Sequence, residues 1–144
     1  MPDVAPVAQL LAGHLGGREL HSGPGGNGFV FWQWELAGGG VVEIIVPDGP
    51  PGGFVHRFLA ARGAGAHHVT FKVPDIHAGL ERARAFGYEP VGFDDRSAGW
   101  KELFLHPKQA QGIVVQLAES HPELEGDDGD ASLRPPFPAV RTAS

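Results

Sequence analysis

The stretch that decides the fold spans residues 67–76 and reads His67-His68-Val69-Thr70-Phe71-Lys72-Val73-Pro74-Asp75-Ile76. Polar and apolar side chains alternate along residues 68–73, which is typical of a β-strand with one face against a core. The alternation assigns two faces: Val69, Phe71 and Val73 on one, and His68, Thr70 and Lys72 on the other. Pro74-Asp75 is a helix-start signal, because proline tolerates the first turn and aspartate accepts bonds from free N–H groups. The stretch therefore predicts a strand followed directly by a helix.

The residues after this stretch complete a β-α-β-β-β unit. Ile76, Leu80, Ala83 and Phe86 recur at helical spacing, and Gly87 is the predicted stop. Three strand-like segments follow, at 89–93, 101–105 and 113–118.

The earlier part of the chain repeats this unit without its first strand. Residues 1–4, Met-Pro-Asp-Val, open a second helical pattern, and strands are predicted at 18–22, 29–35 and 41–46. Residues 39–43 correspond to residues 112–116, so Glu43 matches Gln116. His68 lies seven residues before Asp75, and the equivalent residue would lie before Met1. We therefore expect the first module to lack its opening strand.

This repeat predicts the domain organisation. The first module covers residues 1–50, a linker 51–66, the second module 67–119, and an acidic, Pro-rich tail 120–144. The missing strand leaves an edge that a homodimer is expected to cover, with the folded-back tail as the second choice.

Composition excludes several classes of protein. The 144 residues contain no cysteine, which rules out a disulfide scaffold, a thiolate zinc site and a thiol nucleophile. The net charge of −6 is concentrated from Glu119 onward, so no basic stripe for nucleic acid is expected. No apolar run approaches the roughly 20 residues of a membrane span, and residues 1–4 do not resemble a signal peptide. A cytoplasmic location is expected.

Strand parity and the repeat place three polar residues on corresponding faces. His68, Glu43 and Gln116 offer an imidazole, a carboxylate and an amide, which suit a divalent cation. The alternative is that His68 makes a hydrogen bond within the core while Glu43 and Gln116 lie at a solvent-exposed edge. Trp32 and Trp34 share one face of their strand, and a core role is favoured over ligand stacking.

A family likeness is carried by three segments: residues 58–76, with Arg62-Gly63 and the double histidine; residues 104–108 (Phe-Leu-His-Pro-Lys); and residues 112–117. The chain resembles the vicinal oxygen chelate (glyoxalase/bleomycin-resistance/dioxygenase) superfamily, especially its methylmalonyl-CoA epimerase-like members. The resemblance implies an α+β fold of paired βαβββ modules forming a cupped mixed sheet. It also implies a bound divalent metal ion (Co, Mn, Ni or Zn).

The resemblance also implies roles for individual residues. His68, Glu43 and Gln116 match metal ligands, although Gln116 stands where the epimerases usually have Glu and their first histidine has no counterpart. We therefore expect Gln116→Glu, which replaces a neutral ligand by a charged one, to tighten metal binding. Glu43 and Glu35 are the candidate catalytic carboxylates. The candidate ligand-binding residues are Phe31, Gln33, Thr70, Lys72 and Lys108.

Three functions remain open. The first is a metal-dependent epimerase, isomerase or lyase that acts on a small carbonyl or acyl-thioester substrate. The second is a metal-free protein that binds or sequesters a small molecule. The third is a remnant module that needs a partner strand.

Overall fold

The computed structural model describes residues 4–26 and 28–124. They divide between Ala64 and Gly65 into two compact units, and this division falls inside the segment predicted as a linker.

The first unit is an antiparallel sheet covered by a short helical segment. Helix α1 (Ala5–Ala8) continues into a π-helical segment (Gln9–His14), and the strands are β1 (Arg18–Gly25), β2 (Phe29–Glu35) and β3 (Val41–Pro47), in the order β1-β2-β3. The Pro-Asp start signal at residues 2 and 3 lies outside the described residues.

The core of this unit confirms the structural role of the two tryptophans. Trp32 and Trp34 are buried with Leu11 and Val46. The β2–β3 turn closes through a hydrogen bond from the Leu36 N–H to the Gly40 carbonyl (3.1 Å). Gly40 has φ +87°, a conformation that glycine adopts without steric cost. A further helix, α2 (Phe54–Arg62), occupies the segment predicted as a linker, and sequence reasoning did not foresee it.

The second unit has the predicted β-α-β-β-β order. It consists of β4 (His68–Lys72), α3 (Ile76–Ala85), β5 (Val91–Asp94), β6 (Trp100–Leu105) and β7 (Val114–Ser120). The sheet order is β4-β7-β6-β5, with β4 parallel to β7 and the other pairs antiparallel. Ile76, Ala83, Leu103 and Leu105 form the buried core between α3 and the sheet.

The start of α3 is held by two carboxylates. Asp75 caps the helix as predicted, accepting bonds from the His77 and Ala78 N–H groups at 2.8 and 3.1 Å. Glu119 on β7 accepts a bond from the Ile76 N–H at 2.8 Å and pairs with His121 and Lys101. Three hydrogen bonds lower the pKa of Glu119 to about 2: the largest effect comes from His121, the next from the Ile76 N–H, and the smallest from Lys101. Its contribution to stability is therefore present above the ordinary carboxyl pKa and is lost as the pH falls through about 2.

The last strand runs two residues beyond its predicted end at residue 118. β7 ends at Ser120 and buries the side chain of Glu119. A 3₁₀ turn, Pro122–Leu124, follows, and the rest of the predicted tail, 125–144, lies outside the described residues. Within the described ranges, no helix has the length and apolar character that crossing a membrane requires.

Candidate functional site

The second sheet carries a row of polar side chains on the face opposite α3. Leu103, Leu105, Val115 and Leu117 pack toward the helix, so alternate residues of the same strands point the other way. We call this the polar face; it comprises His68, Thr70 and Lys72 of β4, Gln116 of β7, and Trp100 and Glu102 of β6.

A chain of hydrogen bonds crosses the polar face. The Thr70 hydroxyl donates to Gln116 Oε1 at 2.6 Å, and Gln116 Nε2 donates to Glu102 Oε2 at 2.7 Å. Trp100 Nε1 donates to the same Glu102 oxygen at 2.7 Å. The Lys72 ammonium lies 3.9 Å from the centre of the Trp100 ring, within cation–π range. The buried amide of Gln116 is thus bonded at both its oxygen and its nitrogen.

His68 lies on the same face, one diagonal step from Gln116. It is opposite Val114 in the parallel β4–β7 pairing, whereas Thr70 is opposite Gln116. Diagonal neighbours on one face are within reach of long side chains. The Nδ1 atom of His68 is 3.1 Å from the Nδ1 atom of His67. Burial of the His67 ring, and to a smaller extent the nearby His68, lower the pKa of His67. The neutral form of His67 is therefore favoured beside His68.

A cavity of about 430 Å³ adjoins the polar face. Its lining residues are Asp94, Arg96, Ser97, Trp100 and Glu102. Arg96 makes a two-point ion pair with Asp94 (2.9 and 2.6 Å) and lowers the pKa of that carboxyl to about 2. The volume is that of a small-molecule site.

The first unit has a polar cluster of its own. Gln33 Nε2 donates to Glu43 Oε2 at 2.8 Å across the β2–β3 pair. Phe31 and Glu35 share the face of Gln33, opposite the tryptophans. Glu35 stands at the end of β2, where it is half exposed and pairs with Arg18 at 2.6 Å.

The structure thus groups the sequence-predicted residues by unit. His68, Thr70, Lys72 and Gln116 come together in the second unit, and Phe31, Gln33, Glu35 and Glu43 share a face of the first. Lys108 belongs to neither face: it lies in the turn between β6 and β7, where its N–H donates to His106 Nδ1 at 3.1 Å.

The donor atoms suit a divalent cation in type. Residues 4–26 and 28–124 hold no cluster of three or more His, Cys, Asp or Glu side chains able to bind a metal. The donors that the polar face offers a cation are the His68 imidazole and the Gln116 amide oxygen, which keeps one acceptor position beyond its bond from Thr70. Imidazole and oxygen donors of this kind fit cobalt, nickel, zinc or manganese.

Sequence reasoning missed Glu102 and Trp100. Both lie on β6, whose extent was almost fully predicted, and the alternation with Leu103 and Leu105 could have shown that Glu102 faces away from the core. No sequence signal shows that Glu102 meets Gln116.

Residues 1–104 of the chain match the Glyoxalase/Bleomycin resistance protein/Dioxygenase superfamily. An ethylmalonyl-CoA/methylmalonyl-CoA epimerase of Cereibacter sphaeroides is 32% identical over 84 residues, covering 54% of this chain and 60% of that relative. The uncharacterized protein YqjC of Bacillus subtilis strain 168 is 30% identical over 84 residues, covering 55% of each chain. The chain therefore spans little more than half the length of these relatives.

Solved structures confirm the fold class. The crystal structure of methylmalonyl-CoA epimerase from Mycobacterium tuberculosis superposes with a TM-score of 0.72 at 24% identity. The match covers 86% of this chain and 85% of that chain.

Proposed function

The chain belongs to the glyoxalase/bleomycin resistance protein/dioxygenase superfamily, and on this basis we propose that it is a divalent-metal-dependent isomerase, epimerase or lyase. Its substrate is a small carbonyl or acyl-thioester compound. The observation that carries the proposal is the polar face, where His68 lies diagonal to Gln116 and Gln116 bonds Glu102, a carboxylate that lines the cavity of about 430 Å³.

In this proposal the candidate cation ligands are His68 and Gln116 in the second unit and Glu43 in the first. A bound divalent cation supplies Lewis-acid stabilisation of the negative charge that develops on a substrate carbonyl oxygen. Thr70 restrains the amide of Gln116, and Gln33 restrains the carboxylate of Glu43 through its 2.8 Å bond. These contacts hold the donor groups before substrate arrives.

The chain's carboxylates would move the proton next to the carbonyl. Glu43 is one candidate, but a carboxylate that binds a cation is a weaker base, so Glu35 is the second. Glu35 shares the face of Gln33, and its ion pair with Arg18 would have to open for it to act. Phe31, Lys72 and Lys108 are proposed as substrate contacts.

A metal-free binding protein is the second candidate function. The observation that favours it is the indole of Trp100, which lines the cavity beside the Lys72 ammonium. An aromatic wall of this kind can bind an organic ligand without a cation.

Solvent deuterium incorporation at the α-carbon tests the proposed function. A panel of acyl-CoA and hydroxy-ketone substrates is incubated in D₂O with added divalent salts and followed by mass spectrometry. We expect weak or no exchange into methylmalonyl-CoA, because position 116 is a neutral amide, and exchange into another carbonyl compound. The exchange should fall by about 10²–10⁴-fold in Glu43→Gln or Glu35→Gln, the usual contribution of a general base.

The control for this assay is Glu81→Gln, an exposed glutamate of α3 that pairs only loosely with Arg84. Rapid exchange into methylmalonyl-CoA that disappears in Glu43→Gln would contradict the expected substrate. Absence of exchange with every compound, together with micromolar binding of an aromatic ligand, would favour the binding protein.

We also propose that the protein forms a homodimer. Within residues 4–64, β3 pairs only with β2, so it is an edge strand of its sheet. An edge strand presents unpaired N–H and C=O groups that favour pairing with another chain. Light scattering should give twice the mass of the chain. A monodisperse monomer whose stability is unchanged by deletion of residues 125–144 would contradict the proposal.

A further inference from the structure

We propose that the cavity of the second unit binds an oxyanion, the phosphate or carboxylate group of a small organic ligand, through Arg96 and Ser97. Both residues line this cavity, and all of its lining residues belong to the second unit. The inference deepens the proposed function, and it rests on that function where it names a group of the substrate. Binding of the oxyanion itself requires no metal ion.

Arg96 keeps one edge of its guanidinium group for a ligand. Its Nε and Nη2 atoms donate to the two carboxylate oxygens of Asp94 at 2.9 and 2.6 Å. Among residues 4–26 and 28–124, the Arg96 side chain has no other hydrogen-bond partner. A guanidinium group has five N–H donors, so three remain on Nη1 and Nη2. These two nitrogens form the edge that binds a second oxyanion at two points, the geometry in which arginine recognises carboxylate and phosphate.

Ser97 adds a hydroxyl donor to the same cavity. Its Oγ atom accepts a bond from the Trp100 backbone N–H at 3.3 Å. A hydroxyl group can also donate its own proton. Within the described part of the chain, that proton has no acceptor. An oxygen of a ligand in the cavity can therefore accept it.

The loop that carries Arg96 and Ser97 is held in place before a ligand arrives. Asp94 Oδ1 accepts a bond from the Arg96 backbone N–H at 3.1 Å, which fixes the start of the turn. The Gly99 carbonyl accepts a bond from the His121 N–H at 2.8 Å, which fixes its end. Bonds of these kinds favour one conformation of a turn. Binding therefore requires little additional ordering of the loop.

The lining of the cavity favours an organic anion over a cation. Asp94 is paired with Arg96, and Glu102 already accepts a bond from Trp100, so both carboxylates of the lining are engaged. The donors of Arg96 and Ser97 have the larger unused capacity. The Trp100 indole offers a flat apolar surface, and about 430 Å³ leaves room for an organic body beside the anionic group. The Arg96 side chain is 87% exposed, so a ligand reaches it from solvent.

This subsite separates two classes of substrate for the proposed enzyme. A keto acid carries a carboxylate, and an acyl-CoA thioester carries phosphate groups, so each can satisfy the open edge of Arg96. A neutral hydroxy-ketone has no oxyanion for it. We therefore expect the anionic compounds of the deuterium panel to be the ones that bind.

An NMR titration of the ¹⁵N-labelled full chain, without divalent salts, tests the inference with four probes. Phenyl phosphate and benzoate are the anions, benzamide is the neutral analogue, and benzylamine is the cation. We expect both anions to shift the Arg96 Nε–H and Ser97 N–H signals, and benzamide and benzylamine to bind at least about tenfold more weakly. Arg96→Ala should weaken anion binding by about 10–100-fold, the range for hydrogen bonds to a charged group. Arg96→Lys keeps the charge without the two-point edge and should restore only part of the affinity.

The two anions distinguish the source of the oxyanion. A phosphate group has three free oxygens, two for Arg96 and one for Ser97, whereas a carboxylate has two. Phenyl phosphate that binds more tightly than benzoate, and weakens about tenfold in Ser97→Ala, would support a phosphate. Benzoate that binds at least as tightly, with the same dependence on Ser97, would support a carboxylate. Wild-type affinity of Ser97→Ala for both anions would overturn the assignment of Ser97.

Arg84→Ala is the matched control, because Arg84 is an exposed arginine of the same unit that also pairs with a carboxylate, Glu81, at 3.6 Å. It removes the same charge and should leave anion binding unchanged. Thermal unfolding of each variant checks that the fold is retained. Wild-type affinity in Arg96→Ala would overturn the inference, as would an equal loss in Arg84→Ala. Benzamide or benzylamine binding as tightly as benzoate would also overturn it.

The deuterium assay separates this inference from the proposed function. Anion binding that depends on Arg96, without exchange into any substrate, would support the inference and refute the enzyme. Substrate exchange by a wild-type chain that binds neither anion would overturn the inference and leave the proposed enzyme in place.

Discussion

Replacing His68 by alanine is expected to abolish the binding of divalent cations. His68 supplies the imidazole of the proposed site, and imidazole nitrogen is the donor that suits cobalt, nickel and zinc. The amide of Gln116 and the carboxylate of Glu43 would remain. We expect the dissociation constant for Co²⁺, measured by calorimetry, to rise by about 100-fold or more, as the loss of a ligand and its supporting contacts implies.

Two other histidines serve as comparisons for this experiment. His77 lies on α3, exposed, with Nε2 3.1 Å from Asp95, so His77→Ala should keep wild-type cobalt affinity. His67 adjoins His68 at 3.1 Å, and His67→Ala should have a smaller effect than His68→Ala. Loss of binding in His67→Ala with retention in His68→Ala would identify His67 as the ligand and contradict the assignment.

Replacing Leu103 by alanine should strongly destabilise the second unit. Leu103 is 0% exposed and packs in the cluster with Ile76, Ala83 and Leu105 beneath α3. Such a truncation removes buried methyl groups and leaves a cavity, at a cost of about 2–5 kcal/mol. Because a domain is stable by only about 5–15 kcal/mol, the expected loss is a large part of the total.

Urea unfolding followed by tryptophan fluorescence measures this loss. Trp100 belongs to the second unit and Trp32 and Trp34 to the first, so Trp100→Phe removes the signal of the second unit and assigns the transition. Leu124→Ala is the control, because Leu124 is 57% exposed. Equal midpoints for Leu103→Ala and Leu124→Ala would show that the buried cluster does not carry the stability.

Most of the fold could be predicted because its signals are local. Alternation along residues 29–35 places Trp32 and Trp34 on one face, and the structure buries both. The Pro74-Asp75 pair marks the start of α3, and Asp75 makes the predicted capping bonds. Each of these features depends on neighbours within a few residues, and sequence patterns describe that range well.

The candidate site could be predicted only in part. Strand parity placed His68, Thr70, Lys72 and Gln116 on one face, since each strand alternates with a period of two. It did not show that Thr70 restrains the Gln116 oxygen, 46 residues away, because that contact depends on the parallel register of β4 and β7.

Local patterns in the sequence predict the β-α-β-β-β unit and the face on which each strand residue lies. Two contacts become visible only in the folded chain: Glu102 meets Gln116, 14 residues away, and Glu119 reaches the start of α3, 43 residues away. Periodicity specifies the side of a sheet to which a residue points, whereas its partner on the next strand depends on register. Register is set by turn geometry and by the packing of the whole core.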